Sequence, residues 1–239
     1  MACLYAHSAT EAVAGATPRP AKNWEPALPT VQCATIVATS SGLHGGRSRV
    51  MEAQLEARPL DASTWDAFAE LVERNNGIYG GCWCIVHHPE YERGLSDPRT
   101  LKQQLVYEGR AHAALVFDEA GLAQGWCQYG KKDELLLKHR REYDKHPPAA
   151  ASWRIACIFV DKRHRRLGVA RAALRGAVDQ IAAAGGGLVE AVSETTQDRQ
   201  AQDRFLFSAT VELFEDHDFR RIRQVGKHAW IVSRTVAGA

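Results

Sequence analysis

Between Ser152 and Ser193 the chain passes from a strand pattern to a helical one and back, and no other stretch restricts its fold so much. Ser152 to Asp161 carries Trp-Arg-Ile-Ala-Cys-Ile-Phe-Val, an apolar run of strand length. A basic loop follows, Lys162 to Leu167. From about Gly168 to Ala184, Val169, Ala172, Ala173, Ala177 and Ile181 form an apolar stripe at helical spacing. Gly185 to Gly187 end that helix, and Leu188 to Ser193 returns to strand. A strand–helix–strand unit of this length makes a right-handed parallel crossover, so the chain contains a parallel strand pair covered by a helix.

The flanking pattern adds strands of the other kind. Gln54 to Leu60 reads as a short strand, and Asp61 is expected to cap a helix running to about Arg74, with Trp65, Phe68, Leu71 and Val72 on one face. Asn75-Asn76-Gly77 stops it, and a Gly- and Cys-rich loop, Tyr79 to His88, follows. Asp97-Pro98 starts a second helix to about Gly109, the proline sitting in the first turn. Ala111 to Asp118 and Leu122 to Gly130 read as a hairpin turning at Gly121. Lys131 to Lys145 is a charged connection, helical or irregular, ended by Pro147-Pro148. Beyond the crossover, Phe205 to His217 is expected as a helix, and Phe219 to Val225 and His228 to Val236 as an antiparallel strand pair parted by Gly226. The fold class is therefore mixed α/β.

Residues 1 to 50 differ from the rest. They are rich in Ala, Thr, Ser, Pro and Gly, hold Pro18, Pro20, Pro26 and Pro29, and keep no sustained period, so a poorly structured extension is expected ahead of a single domain over 51–239. Met51 opens the first patterned segment and is a candidate translation start. Of the 239 residues 45% are hydrophobic and 24% charged, enough apolar material for a sizeable core. The net charge of +2 supplies no strong field for nucleic acid or an anionic membrane. No apolar run approaches the roughly 18 residues of a spanning helix. Six irregularly spaced cysteines do not make a disulfide framework, and Met1 to Ser8 lacks the basic and apolar regions of a signal peptide, so a cytoplasmic protein is expected.

The turn into the long helix carries the chemistry. A helix start exposes unpaired N–H groups and the positive end of the dipole. Gly168 lets a ligand approach the backbone, Ala170 keeps the next turn slim, and Arg163, Arg165, Arg166 and Arg171 add positive charge. The arrangement suits a pyrophosphate; the same residues also describe an ordinary helix start with a solvated basic face.

Arg165, Gly168 and Ala170, directly after Ile158-Phe159-Val160, match the signature of the GNAT superfamily of acyl-CoA-dependent N-acyltransferases, and the chain resembles that superfamily over about residues 54 to 236. Val211-Glu212-Leu213-Phe214-Glu215-Asp216-His217-Asp218-Phe219 resembles the family's late helix, with Asp218 where a glycine is usual. The resemblance implies a mostly antiparallel central sheet flanked by helices, with a bulged strand that splays from its parallel neighbour to make a slot for the pantetheine arm of acetyl-CoA. Ile158, Phe159 and Val160 would offer backbone groups to that arm, an N–H near Ile158 would stabilise the oxyanion, and Arg165, Arg166, Leu167, Gly168, Val169, Ala170 and Arg171 would hold the pyrophosphate. The implied reaction is attack on the thioester by the primary amine of a small molecule or peptide. A homodimer is compatible with the resemblance.

The base is open. Glu190, on the second strand of the slot, is a candidate acting directly or through water, or else a surface carboxylate. Tyr129 borders the acceptor groove or is an exposed strand-end aromatic. Where many relatives carry a tyrosine to protonate the leaving thiolate, this chain has Phe214, which leaves the role absent, to a group such as Ser208, or to solvent. That departure keeps a non-catalytic CoA-binding regulatory module as an alternative. Cys82, Cys84, His87 and His88 have the chemistry of zinc ligands but crowd into seven positions; they make a zinc-stabilised interaction domain, a buried loop around Trp83, or an acceptor-lining loop. Cys157 is a small core residue or an acyl-carrying nucleophile. Lys138 to Arg141 is a solvated basic face or attracts an anionic substrate.

Overall fold

The computed structural model describes residues 54–148, 150–196 and 207–239. The expected extension over 1–50, the Met51 start and residues 205–206 of the expected late helix lie outside the described residues.

Among the described residues seven strands form one sheet in the order β1-β2-β3-β4-β5-β7-β6. These are β1 (Glu56–Pro59), β2 (His112–Phe117), β3 (Ala123–Lys131), β4 (Trp153–Val160), β5 (Gly187–Glu194), β6 (Arg220–Gln224) and β7 (Ala229–Val236). All neighbours are antiparallel except β4 and β5, which run parallel as the crossover pattern requires. The helices are α1 (Trp65–Glu73), α2 (Pro98–Tyr107), α3 (Arg140–Lys145), α4 (Val169–Ala183) and α5 (Val211–Glu215).

Two helix boundaries differ from the sequence expectation. Asp61 does not cap α1; its carboxylate accepts from Ser63 N–H and Oγ in a turn before it, and Thr64 stands at the cap position. The apolar periodicity runs on through a turn whose Asp–x–Ser bonding competes with helix. The late helix shrinks to Val211–Glu215, because Thr210 caps it by accepting from Leu213 N–H, and Ala209 at φ 58 lies outside helical geometry.

The sheet separates two apolar cores. On one face α4 buries Val169, Ala172, Ala173, Leu174, Ala177 and Ile181 against Cys127, Tyr129, Trp153, Ile155 and Ile158. On the other, α1 and α2 pack Trp65, Phe68, Leu105 and Val106 against Leu115, Trp126 and Cys157. Phe68 and Trp126 meet with ring centroids 4.9 Å apart, and Trp126 stacks on Phe159 at 4.6 Å. Truncating an aromatic this deep costs about 3–5 kcal/mol.

β4 changes face partway along. Gln128 pairs with Cys157 and Tyr129 with Ile155, which leaves Ala156 unpaired as a bulge. Ile155 and Ile158 therefore both face α4, while Cys157 joins the opposite core. β4 pairs with β5 only from Trp153 to Ile155, opposite Val189 to Ala191. Beyond Ile155 the two strands part. The bulge and the splay are the features that the resemblance implied.

Candidate active site

The opened end of β4 faces the start of α4. Asp161, fully buried, fixes the turn between them. Its carboxylate accepts from Arg163 N–H at 3.0 Å and from the Arg163 guanidinium at 2.8 Å, and also from Asn75 and Arg74. These donors, the Arg163 side chain first, hold its carboxyl well below the usual carboxylate range. A single 3-10 turn, Lys162–His164, follows, and then Arg166 at φ 63 and Gly168 at φ 84 swing the chain into α4. Gly168 is the N-cap and has no side chain to satisfy the first-turn N–H groups of this fifteen-residue helix.

A cleft of about 350 Å³ opens there. Ile158, Phe159, Val160, Arg165, Arg166, Gly168, Val169, Ala170 and Arg171 all line it. Leu167, the remaining residue expected at the pyrophosphate, is 56% exposed and does not line it. Arg171 is ion-paired with Asp216 at 2.5 Å. Four further lining residues, Tyr79, His164, Ala209 and Leu213, escaped the sequence reading. Tyr79 arrives through the left-handed turns after Asn75-Asn76-Gly77, which no periodicity marks.

The slot between the strands is occupied by the chain itself. Ile158 N–H donates to the Phe207 carbonyl at 2.7 Å, Ser193 Oγ donates to the Ala209 carbonyl at 2.9 Å, and Thr210 bridges Glu194 in parallel. The N–H expected to face an oxyanion is thus bonded to Phe207. Ser208 is buried, and its Oγ has no partner among the described residues. Phe214 is fully buried and meets Phe219 edge-on at 5.1 Å.

Glu190 and Tyr129 are not at the cleft. Glu190 is 1% exposed, accepts from Arg154 Nε at 2.9 Å, and takes the Tyr143 hydroxyl at 2.9 Å from each carboxylate oxygen. It is not the surface carboxylate of one sequence reading, and its oxygens are taken by these donors. Arg154 also donates to the carbonyls of Lys132 and Leu135. The network joins β4 to β5 where they are still paired. Tyr129 is 6% exposed on the α4 face, donates to Gln180 Oε1 at 2.9 Å, and stacks with His112. It is not an exposed strand-end aromatic.

The four zinc-type residues do not converge. His87 Nδ1 lies 3.1 Å from the Leu136 carbonyl, His88 Nε2 accepts from Gln128 Nε2 at 2.8 Å, and Cys84 bonds Gln128 and Trp126. Among the described residues no group of three His, Cys, Asp or Glu is placed to hold a metal ion. Trp83, 8% exposed, is packed inside this loop. Burial, with the charges of neighbouring Lys102 and His87, pushes His88 down to about 2.

No family model matches the sequence, and no curated protein matches it. Similar solved structures include an acetyltransferase of Corynebacterium glutamicum related to histone acetyltransferase HPA2, at 15% identity and TM-score 0.46, covering 79% of this chain and 99% of that one. The ribosomal-protein-S18-alanine N-acetyltransferase of Escherichia coli is similar at 13% identity and TM-score 0.44, covering 78% and 96%. A GNAT superfamily phosphinothricin acetyltransferase of Sinorhizobium meliloti, solved in complex with AcCoA, is similar at 14% identity and TM-score 0.46, covering 79% and 91%. Among the described residues no helix is long and apolar enough to cross a membrane.

Proposed function

We propose that the chain is a cytoplasmic N-acyltransferase that moves an acetyl group from acetyl-CoA, as co-substrate, to the primary amine of a small molecule or peptide. The acyltransferase domain is residues 51–239, with 1–50 an appended extension. One observation carries the reading: nine residues of two separate segments, Ile158–Val160 and Arg165–Arg171, line a single cleft at the uncapped start of a long helix. Backbone N–H groups there receive a pyrophosphate without a side-chain competitor, and the exposed Arg165 and Arg166 add charge. The parted end of β4 gives an extended pantetheine arm a strand edge to follow. Catalysis rests on positioning the amine against the thioester. In this reading Glu190 positions β4 against β5 through Arg154, and Tyr129 anchors α4 through Gln180.

Calorimetry with acetyl-CoA tests it, on wild type and on the double variant Arg165→Glu, Arg166→Glu. Wild type binds, and the variant, altered only at exposed positions, binds at least about tenfold more weakly, a loss of about 1.4 kcal/mol. An intact wild type that binds no acetyl-CoA would end the proposal. A second reading, a CoA-binding module without turnover, is favoured by Phe214 lying wholly in the core where a proton donor would be needed. Binding without amine-dependent release of CoA thiol would select it.

A further inference from the structure

The loop between α1 and α2 packs Trp83, Cys84 and Ile85 on the face of the sheet away from α4, and it carries a histidine that the cleft does not use. His87 is clamped at two points to the chain after β3. Its carbonyl accepts from Leu136 N–H at 2.7 Å, and its Nδ1 lies 3.1 Å from the Leu136 carbonyl. A carbonyl oxygen only accepts, so Nδ1 carries the proton and the lone pair of the neutral ring sits on Nε2. Among the described residues Nε2 has no hydrogen-bond partner, and His87 keeps 9% of its surface. His88 differs: its Nε2 already accepts from Gln128, and only 2% of it is exposed.

The His87 ring lies against Phe207, with ring centroids 5.5 Å apart. Phe207 is also the residue whose carbonyl takes Ile158 N–H at 2.7 Å in the mouth of the parted strands. One residue therefore touches both the imidazole and the N–H that the resemblance assigns to an oxyanion. Lys138 borders the same place: its Nζ lies 5.1 Å over the Phe207 ring and pairs with Glu194, at the end of β5, at 3.0 Å. Lys102, buried on α2 beside Leu105 and Val106, supplies a second positive charge. Burial first, then the charges of Lys138 and Lys102, outweigh the bond to Leu136 and lower the His87 pKa, which keeps the ring neutral at pH 7.

We propose that His87 is the catalytic residue that carries the proton in the acyl transfer, an assignment that rests on the acyltransferase reading above. A thioester carbonyl that takes over Ile158 N–H takes the place of the Phe207 carbonyl, and the space that Phe207 gives up lies beside His87. The neutral amine nitrogen attacks the carbonyl carbon there. The N–C bond forms, and His87 Nε2 takes one proton from that nitrogen. The C–S bond then breaks, and the departing thiolate takes the proton back from the imidazolium. The products are an amide, the CoA thiol and the neutral ring. A group that accepts the proton and returns it makes a separate hydroxyl donor at the position of Phe214 unnecessary.

The experiment measures thiol released from acetyl-CoA by hydroxylamine, a small nitrogen nucleophile that is unprotonated at neutral pH. Wild type, His87→Gln and His87→Ala are compared, with acetyl-CoA calorimetry on each. Glutamine keeps a donor for Leu136 but takes up no proton. Both variants are expected to bind acetyl-CoA with wild-type affinity, which also shows that they fold. His87→Gln is expected to release thiol at least about 10²-fold more slowly, and added imidazole to restore part of the rate in His87→Ala. The ratio of wild-type to His87→Gln rate cancels the titration of hydroxylamine itself. That ratio is expected to fall with pH in a limb centred below about 6.5, the ordinary imidazole value. A ratio that ignores pH, or a His87→Gln variant as fast as wild type, would overturn the proposal. So would a wild type that binds acetyl-CoA yet releases no thiol to hydroxylamine, with the cofactor site left standing. A wild type that binds no acetyl-CoA removes the acyltransferase reading and this assignment with it.

Discussion

The backbone N–H of Ile158 and the carbonyl of Phe207 form a 2.7 Å hydrogen bond across the mouth of the parted strands. It satisfies the N–H that the family resemblance assigns to the oxyanion, so in the proposed reaction acetyl-CoA would compete with Phe207 for one donor. Binding acetyl-CoA is expected to release the 207–210 segment from β4 while the 158–160 amides stay protected by the ligand. Amide hydrogen exchange checks this. Faster exchange in a peptide covering 207–210 when acetyl-CoA is added is the expected outcome. Slower exchange there would mean the segment closes over the ligand and keeps its bond to Ile158.

The strands, their parallel pair and the basic turn into α4 were legible in the sequence because they depend on local pattern, whereas Ile158, Phe159 and Val160 were expected at the cleft only from the family resemblance. The apolar run before Arg165, the helical stripe after Gly168 and the glycines at 185–187 each act within one element. Glu190 was not legible in the same way. Its position on the second slot strand was readable, but Arg154 lies 36 residues away and Tyr143 lies 47 away, and it takes the register of β4 on β5 and the packing of α3 to bring the three together. The burial of Tyr129 was hidden for a related reason: with Cys127 it faces α4, and its partner Gln180 lies 51 residues away. The start of α1 was lost to side-chain bonding within a turn, and Tyr79 reaches the cleft through backbone conformations that composition does not encode. Lys102 did leave a signal, since it shares its helix face with Leu105 and Val106.

Glu190 and Arg154 are a buried ion pair with side chains 1% and 11% exposed. Removing one member leaves the other charge buried and unpaired, which costs about 3–5 kcal/mol. Arg154→Met is therefore expected to lower the urea-unfolding free energy by about that amount. Tyr143→Phe, which removes one hydrogen bond to a charged acceptor, costs about 1.5–3 kcal/mol. Glu190→Gln separates positioning from base catalysis. If Glu190 positions the strands, stability falls and the pH profile of turnover keeps its shape. If it takes the amine's proton, the profile loses its acid limb.

Gly125 on β3 lies against both β4 and the first turn of α4. A Cβ there would stand 2.5 Å from the Phe159 carbonyl oxygen and 2.7 Å from Val169 Cγ1, both belonging to cleft-lining residues. The backbone oxygen cannot turn aside as a flexible side chain would, so Gly125→Ala must shift β4 or the first turn of α4. The expected cost is about 1–3 kcal/mol of stability, with a larger fractional loss of acetyl-CoA affinity than Gly130→Ala. At Gly130, on the same strand, the nearest atoms a Cβ would meet belong to the Glu134 and Leu135 side chains, each at 3.1 Å. Urea unfolding and calorimetry on the two variants make the comparison, and equal affinity in both would show that the Gly125 contact does not shape the cleft.

His88 links the loop's stability to pH. Buried against Gln128, it is held near 2 in the folded protein and returns to about 6.5 when unfolded. Between those values the unfolded chain binds one more proton than the folded one, so stability rises with pH and is lost as pH falls below about 6.5. Each pH unit within that window removes about 1.4 kcal/mol for this one group. His87, also lowered, chiefly by burial, adds in the same direction. Urea midpoints at pH 7.5, 6.0 and 5.0 should therefore fall progressively. The drop should be shallower by about one proton in His88→Gln, because a glutamine amide can meet Gln128 without titrating. An identical slope in wild type and variant would mean that burial in the fold does not lower the His88 pKa.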